Sequence, residues 1–397
     1  MHILLLNAGS SSLKAALVES DDGRTIASGL ADWAGSVTRY RYTGPDGQEH
    51  SEEVAWRGHA QAVQRFVADL SHLAPVALPD RSHLAAVGHR IVHGGPFTSS
   101  VRITPDMRTR LAALTDLAPL HNPPSLEALA AAQAELPDVP HVAVFDTAFH
   151  ATLAPYAYTY PVPQQWTRDW GIRRYGFHGL SHAYCARRAA EMLGQPLHAL
   201  RLVICHLGHG CSAAAVKEGR CVDTTMGYTP LEGLMMATRS GSVDPSVVLN
   251  VQRNHGLTVD QVEWALNRES GLLGVSGVSA DMRQVLAAAE AGQEPARLAL
   301  EIYAHRVRQA IGALTVTMGG INALVFTAGI GEHASAVRAS ICIGLDCLGL
   351  ELDAAANASR RPDADIASPA SCGRILIIAT REDVTMLREV LEVLGEP

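Results

Sequence analysis

Two turns rich in small residues are the segments of this sequence best suited to bind an anion. The first spans residues 7–14 and the second spans residues 206–212. Small residues and free backbone N–H groups in such turns suit an oxyanion such as phosphate, and the first turn adds three serine hydroxyls. Lys14 adds a positive charge there, and the only other lysine of the chain is Lys217. Taken alone, the first turn equally fits a solvated, serine-rich hairpin.

Each of these turns joins two apolar segments, which predicts a β-hairpin in each half of the chain. The flanking segments are 3–6 and 13–18 for the first turn, and 202–205 and 213–216 for the second. A further tight turn follows each hairpin. Because the two halves begin alike, we infer an internal duplication. Two facing hairpins of this kind resemble the actin-like ATPase and sugar-kinase architecture at the level of fold.

Composition limits the class of protein. The chain has 397 residues, of which 47% are hydrophobic and 18% charged, so we expect two globular domains. The net charge of -8 gives no electrostatic indication of nucleic-acid binding. Seven scattered cysteines are typical of reduced thiols in the cytoplasm. We recognise no signal peptide and no membrane-spanning segment, and we therefore expect a cytoplasmic protein with neither nucleic-acid nor membrane partners.

Apolar periodicity predicts alternating strands and helices. Strands are expected at 84–92, 141–145, 324–328 and 374–380, and helices at 54–73, 105–117, 125–136, from about 181, at 244–254, 259–267, 280–291 and 295–318, and at the C-terminus. The strand 141–145 ends at Asp146, and ligands of open α/β sheets bind at that end of a strand. We place the domain change near Thr147. The first domain would comprise 1–147 completed by 380–397, and the second, nucleotide-binding domain 148–379.

Ten motifs, in order along nearly the whole chain, resemble the acetokinase family of carboxylate kinases. They lie at 6–14, 88–95, 121–123, 145–150, 174–179, 223–227, 230–236, 238–241, 279–283 and 326–332. The resemblance implies a two-domain, duplicated actin-like (ribonuclease H-like) α/β fold with an interdomain cleft. It also implies a homodimer that reversibly transfers the terminal phosphoryl group of ATP to acetate, giving acetyl phosphate and ADP, with Mg²⁺ or alternatively Mn²⁺.

The catalytic residues that the resemblance implies suit this reaction. A carboxylate is already ionised at pH 7, so no strong general base is needed. The difficulty is to bring an anion against a polyanion, which arginines do well through planar, bidentate donors. By resemblance, Arg90 binds the substrate carboxylate and Arg239 stabilises the transferring phosphoryl group. His178 would donate a hydrogen bond to the same group.

Three polar residues are implied around the metal. By resemblance, Asn7 and Glu382 organise Mg²⁺, which prefers few carboxylates together with water and phosphate oxygens. Asp146 is expected to orient a metal-bound water or Arg239 rather than to act as a base. Glu382 rests on the short match at 380–383, and an ordinary charge ahead of the last helix is the alternative.

The resemblance further implies binding residues for both substrates. Nucleotide contacts are expected from Ser10, Ser12, Lys14, His206, Leu207, Gly208, His209, Gly210, Asp281, Met282, Arg283, Gly329, Ile330, Gly331, Glu332 and His333. The apolar lining of the acetate pocket would be Val92, Leu120, Phe177 and Pro230. Such a pocket has room for a methyl or ethyl group, and each methylene discriminates by only about 1–3 kcal/mol. A kinase for propionate or butyrate therefore stays an alternative.

Three residues depart from the family pattern. His209 and His333 stand where asparagine is usual, and Ala237 stands where glycine is usual. They leave open whether ATP is the preferred donor, and they keep a catalytically impaired, nucleotide-gated binding protein as an alternative. The segment 205–211 also has the residue types of a zinc cluster, but strand alternation points Cys205 and His206 to opposite faces.

Overall fold

The computed structural model describes residues 1–73, 83–118 and 121–395. The chain folds into two compact units. The first comprises Met1–Ala148 with Arg381–Pro397, and the second comprises Phe149–Thr380. Each unit combines one β-sheet with helices, as the predicted α/β class requires. Compactness does not reveal what each unit binds, so the assignment of functions to the two predicted domains stays a prediction.

Strands of both units follow the apolar segments of the sequence. They are β1 (His2–Ala8), β2 (Ser12–Glu19), β3 (Thr25–Asp32), β4 (Thr38–Thr43), β5 (Glu49–Val54), β6 (Leu84–Ile91), β7 (Val101–Arg102), β8 (His141–Phe145), β9 (Arg201–Leu207), β10 (Cys211–Lys217), β11 (Arg220–Thr224), β12 (Ala323–Thr327), β13 (Ala364–Asp365) and β14 (Arg374–Ile377). Both predicted hairpins are present, because β1 pairs antiparallel with β2 and β9 with β10.

The helices are α1 (His59–Leu73), α2 (Pro105–Ala112), α3 (Asn122–Glu135), α4 (Pro155–Tyr158), α5 (Gln164–Trp170), α6 (Gly179–Leu193), α7 (Pro245–His255), α8 (Val259–Arg268), α9 (Gly271–Ser276), α10 (Met282–Glu290), α11 (Glu294–Met318), α12 (Ala328–His333), α13 (Ser335–Cys342), α14 (Ala354–Ser359) and α15 (Glu382–Leu394). Throughout the described ranges, no helix combines the length and the apolar character needed to cross a bilayer.

The sheet of the first unit has the order β5-β4-β3-β2-β1-β6-β8-β7 among the described residues. Leu4 and Leu6 pack on one face with residues of α1 and α3 such as Phe66. The neighbouring side chain, Leu5, points to the opposite face because side chains alternate along a strand. There, a methyl group on Gly88 of β6 would lie 2.7 Å from Val390 and 2.9 Å from Leu5. Glycine at this position therefore lets α15 pack closely on the sheet.

The sheet of the second unit has the order β11-β10-β9-β12-β14-β13 in the part of the chain that is described. Residues of α6, including Cys185 and Ala189, pack on one side against Leu202 and Ile204 of β9. In both units a run of antiparallel strands is followed by parallel strands. The antiparallel strands are β1 to β5 in the first unit and β9 to β11 in the second, and the parallel strands that follow are β6 and β8 in the first and β12 and β14 in the second. This repeated arrangement is what the inferred duplication predicts.

Several predicted boundaries are wrong. Helix α2 ends at Ala112 instead of 117, and β14 ends at Ile377 instead of 380. Val54 belongs to β5, and α1 begins only at His59, after Gly58 with its left-handed φ of 108°. Strand β5 escapes prediction because residues 49–53 are exposed and polar, and backbone pairing to β4 forms it. Helix α3 begins at Asn122 rather than Ser125, since two prolines fit a first turn whose N–H groups need no partner.

Candidate active site

Four predicted site residues of the first unit lie together and are called the Arg90 cluster: Asn7, Arg90, Asp146 and Glu382. Asn7 lies near the end of β1, Arg90 near the end of β6, Asp146 directly after β8, and Glu382 at the start of α15. Strands β1, β6 and β8 run parallel, so their carboxyl ends meet at one edge of the sheet. That edge is where open α/β sheets bind ligands.

The guanidinium group of Arg90 is held in a fixed orientation within this cluster. Its Nε donates to Oδ1 of Asp146 at 2.9 Å, and its Nη2 donates to the other carboxylate oxygen. Its Nη1 donates to Oδ1 of Asn7 at 3.0 Å. Asn7 in turn donates through Nδ2 to Oε2 of Glu382 at 3.4 Å. Within the described ranges, three of the five N–H bonds of this arginine are thus used, and two remain for a ligand.

Charge and burial in the cluster keep this arginine ionised. Burial by itself lowers the pKa of Arg90, but the carboxylates of Asp146 and Glu382 outweigh that effect and hold the pKa above its ordinary value. The Asp146 side chain is 1% exposed, and its pKa is raised by burial and lowered by the paired guanidinium. Arg239, which Asp146 was expected to orient, belongs to the second unit. Within the first unit, the carboxylate of Asp146 binds Arg90. Asp146 therefore positions the predicted carboxylate-binding arginine.

A second group of predicted residues converges within the second unit. His178 precedes α6 with a left-handed φ of 58°, Gly210 lies in the turn between β9 and β10, and Arg239 lies in the loop after β11. A methyl group on Gly210 would lie 3.3 Å from Nε2 of His178 and 3.5 Å from Nη1 of Arg239. The imidazole and the guanidinium group therefore border one small space that glycine keeps open.

Arg239 is a cation with little local compensation. Its Nη1 donates to the carbonyl oxygen of Pro230 at 3.0 Å. Burial lowers the pKa of Arg239, and the charge of Arg268 lowers it further. Across the described residues Arg239 makes no ion pair. A partly buried guanidinium group without an ion pair suits an anionic ligand such as a phosphoryl group.

A cavity of about 720 Å³ lies in the same unit and has the volume of a typical ligand site. Its lining includes eight of the predicted nucleotide-binding residues: Gly208, His209, Asp281, Met282, Arg283, Gly329, Ile330 and His333. Sequence reasoning missed four others that line it: Ser279, Ala280, Leu286 and Ala334. The first two belong to the motif at 279–283, and Leu286 lies one helical turn after Met282, so helical spacing could have found it.

The other predicted nucleotide contacts lie elsewhere. Leu207 is fully buried, and Gly331 is buried in α12. Glu332 caps backbone groups, because its Oε1 accepts N–H bonds from Ala328 at 2.9 Å and Thr380 at 3.0 Å. Within this unit the cavity is therefore lined by part of the predicted nucleotide-binding set.

The predicted residues of the first hairpin belong to the other unit. In this hairpin the Gly9 N–H donates to the carbonyl oxygen of Ser12 at 2.8 Å, and Nε2 of His59 lies 2.7 Å from the carbonyl oxygen of Gly9. Ser10 and Lys14 are exposed, and Lys14 pairs across the hairpin with Asn7. Both exposed side chains are accessible to a ligand.

Three of the four residues predicted to line the acetate pocket are among the described residues. Val92 directly follows β6 in the first unit and is buried. Phe177 is 1% exposed, and its carbonyl oxygen lies 2.9 Å from Nε2 of His150. Pro230 holds Arg239 through its carbonyl oxygen. Leu120 lies outside the described residues. The lining of the pocket by these side chains stays a prediction.

Comparisons with known proteins agree across the full length. The sequence model of the Acetokinase family matches residues 2–388. The chain belongs to the acetokinase family. It is 46% identical to the acetate kinase of Gloeobacter violaceus, with 98% of both chains covered. It is also similar to the crystal structure of Porphyromonas gingivalis acetate kinase (TM-score 0.91, 37% identity, 99% of both chains) and to that of a Francisella tularensis propionate kinase (TM-score 0.91, 37% identity, 98% of both).

Membership of the acetokinase family confirms the resemblance and the predicted fold class. The structure shows where the three residues that depart from the family pattern lie. His209 and His333 both line the cavity. Ala237 is buried, and its N–H donates to the carbonyl oxygen of His209 at 3.1 Å. Burial lowers the pKa of His209, as do the charges of Arg239 and Arg268, so this imidazole is neutral at pH 7.

Proposed function

We propose that this chain reversibly transfers the terminal phosphoryl group of ATP to acetate, giving acetyl phosphate and ADP. The observation that carries the proposal is the Arg90 cluster, in which a charged guanidinium group is held in place and, among the described residues, keeps two N–H bonds for a ligand. Similarity to proteins named acetate kinase supports the same reaction. The predicted set of Arg90, Asp146, His178 and Arg239 is complete, which argues against an impaired binding protein.

Arg90 binds the carboxylate of acetate in this proposal. The ion pair with Asp146 fixes the plane of the guanidinium group before substrate arrives, so little rotamer entropy is lost on binding. One acetate oxygen accepts from Arg90, and the carboxylate attacks the terminal phosphorus without needing a base. The ADP oxygen leaves as the new P–O bond forms.

His178 and Arg239 stabilise the transferring group. Negative charge on its oxygens is met by the unpaired guanidinium group of Arg239 and by an N–H of His178, which border the space beside Gly210. Donors fixed before reaction require no reorganisation as charge develops. Loss of one such donor typically costs about 10²–10³ in kcat. The nucleoside would occupy the cavity bordered by α10 and α12.

Mg²⁺, or alternatively Mn²⁺, would be held by Asn7 and Glu382. The fit rests on side-chain oxygens, the kind of donor these cations prefer: the carboxylate of Glu382, and Oδ1 of Asn7, which has a second lone pair besides the one that accepts from Arg90. When bound, the cation neutralises charge on the phosphate oxygens of ATP. Asn7 also orients Arg90, so it would link the metal-binding and carboxylate-binding groups.

The proposal is tested by incubating the protein with ATP, Mg²⁺ and acetate, propionate or butyrate, with hydroxylamine trapping any acyl phosphate. We expect acetate to react fastest, Arg90→Ala to be inactive, and Arg39→Ala, which alters a 79% exposed arginine, to keep full activity. Faster reaction with propionate would favour the longer-acid alternative, which similarity to a protein named propionate kinase also favours. No product with any acid would refute the proposal.

A homodimer and a cytoplasmic location are also part of the proposal. The homodimer rests on the family resemblance, and the location rests on the seven scattered cysteines. Sedimentation equilibrium tests the first: a mass twice that of the 42.2 kDa chain supports it, and a monomer refutes it.

A further inference from the structure

Four histidines of the second unit lie close together, and the proposed phosphoryl transfer uses only part of this group. His178 stacks on His206, with ring centroids 4.1 Å apart. His182 lies with its ring centroid 5.7 Å from that of His150 and 6.3 Å from that of His206. Ser212 of β10 joins the two pairs: its Oγ lies 2.9 Å from Nδ1 of His178 and 2.8 Å from Nε2 of His182. Ser212 and His182 are fully buried.

His178, Ser212 and His182 are called the triad, and the proton positions in it follow from the hydrogen bonds that each atom can make. Among the described residues, Nδ1 of His182 is buried without a hydrogen-bond partner. A buried N–H without an acceptor is costly, so Nδ1 carries the lone pair and Nε2 carries the proton. Nε2–H of His182 therefore donates to Oγ of Ser212. The single hydroxyl proton of Ser212 is then left to donate to Nδ1 of His178.

We infer that Ser212 and His182 are positioning residues that hold His178 in its Nε2–H tautomer, so that this N–H is the donor to the transferring phosphoryl group. Nε2 of His178 is the atom that faces the space beside Gly210 and Arg239. The opposite tautomer would present a lone pair to the phosphoryl oxygens, and two lone pairs repel. The inference rests on the proposed function and assigns residues that the sequence motifs did not single out.

The neighbouring imidazole shows the same arrangement. Oγ of Ser181 lies 2.7 Å from Nδ1 of His206, and Oγ1 of Thr380 donates to Oγ of Ser181 at 3.0 Å. The Ser181 hydroxyl group, which also has Cys185 as a partner, faces His206, whose Nε2 faces Gly208 of the turn. Two stacked histidines thus each have a serine hydroxyl group at Nδ1. This repetition is expected if both imidazoles serve as Nε2–H donors.

Burial, together with nearby positive charge, lowers the pKa of two of the four histidines, His182 and His150. Burial lowers the pKa of His182 well below its usual value, and the nearby His150 and His206 add to the effect. Burial likewise lowers the pKa of His150 to about 4. The charge of Arg174 adds to the effect on His150, and the guanidinium group of Arg239 lies beyond Gly210. With Nδ1 of His178 accepting from Ser212, the position of the ring proton is what the inference assigns.

The first test measures the tautomer directly in the wild-type protein. The protein is labelled with ¹⁵N-histidine, and the His178 signals are assigned by their loss in His178→Gln. Imidazole nitrogen shifts of the Nε2–H form support the inference, whereas an Nδ1–H form or a mixture of both overturns it. This result does not depend on turnover. If the wild-type protein formed no acyl phosphate, the proposed function would fail while the tautomer would still be decided.

The second test removes the hydroxyl group. We expect Ser212→Ala to lower kcat about 10- to 100-fold, as loss of a supporting hydrogen bond does at other sites, with KM values for ATP and acetate changed less than about twofold. The His178 shifts should move toward a tautomer mixture. Ser276→Ala is the matched control, because it removes another buried hydroxyl, one that donates to the carbonyl oxygen of Leu272. Wild-type kcat and unchanged shifts in folded Ser212→Ala would overturn the inference.

The third test uses the other end of the triad. His182→Gln keeps an N–H donor near the position of Nε2, whereas His182→Phe keeps a flat ring of similar size without any donor. We expect the glutamine variant to retain the His178 tautomer and most of kcat, and the phenylalanine variant to lose both. Equal kcat and equal shifts in the two folded variants would contradict the role of His182.

Discussion

Asp146→Asn separates the charge of the carboxylate from its shape. The side chain keeps its size, but one oxygen that accepts from Arg90 becomes an NH₂ group that opposes an arginine N–H. Loss of one hydrogen bond between charged groups costs about 1.5–3 kcal/mol, which corresponds to a fall of about 10- to 150-fold in kcat/KM for acetate. Because Asp146 is 1% exposed, breaking the pair should also lower the free energy of unfolding by about 3 kcal/mol.

The assay is hydroxamate formation across a range of acetate concentrations at a temperature where the variant is folded. The matched control is Asp169→Asn, which breaks an aspartate–arginine pair with Arg168 on the surface, where both side chains are well exposed. We expect less than a twofold change in that control. The reasoning is refuted if folded Asp146→Asn keeps kcat/KM within about twofold of wild type, or if its ATP KM alone changes.

Three further predictions concern the second unit. Gly210→Ala places a methyl group 3.3 Å from Nε2 of His178 and 3.5 Å from Nη1 of Arg239. We expect kcat to fall at least about tenfold while the melting temperature is nearly unchanged. An unaffected kcat would contradict the conclusion that the two side chains border the space used by the transferring group. Burial and nearby guanidinium groups lower the pKa of His209, so its imidazole is neutral above that lowered value. The KM for ATP should therefore be constant from about pH 6.5 to 8 in steady-state assays. A KM that rises as His209 loses a proton in this range would contradict this prediction. Leu286→Trp should narrow the cavity and raise the ATP KM in the same assays while the acetate KM stays constant; the opposite pattern would place ATP elsewhere.

What the sequence predicts well depends on apolar periodicity. The hairpin flanked by 3–6 and 13–18 is present as expected because its apolar side chains have to be buried on a sheet. Strand β5 was missed because cross-strand backbone pairing, which needs no apolar pattern, forms it. Family motifs singled out the four residues of the Arg90 cluster. The fold brings them together because they lie at the ends of parallel strands and at the start of the last helix.

Partners of the site residues were harder to predict. Asp146 binds Arg90, a partner that the sequence did not indicate, since a sequence carries no measure of which arginine a carboxylate faces. The expectation that it orients a metal-bound water or Arg239 stays a prediction. Ser212 lies within the second hairpin and looks like an ordinary small strand residue. Its function depends on the imidazole that precedes α6 and on another inside that helix, which only the packing of α6 on the sheet brings together.

The position of Gly88 beneath α15 has a consequence for biosynthesis. The sheet of the first unit is encoded before residue 146, yet the helix that covers Leu5 and Gly88 is encoded from residue 382 onward. A ribosome adding about 5–20 residues per second needs on the order of 10–50 s to translate the intervening segment. During that interval one apolar face of the nascent sheet lacks its helix. The N-terminal part of this chain is therefore completed last, and it is the part for which a chaperone that binds exposed apolar surface would matter most.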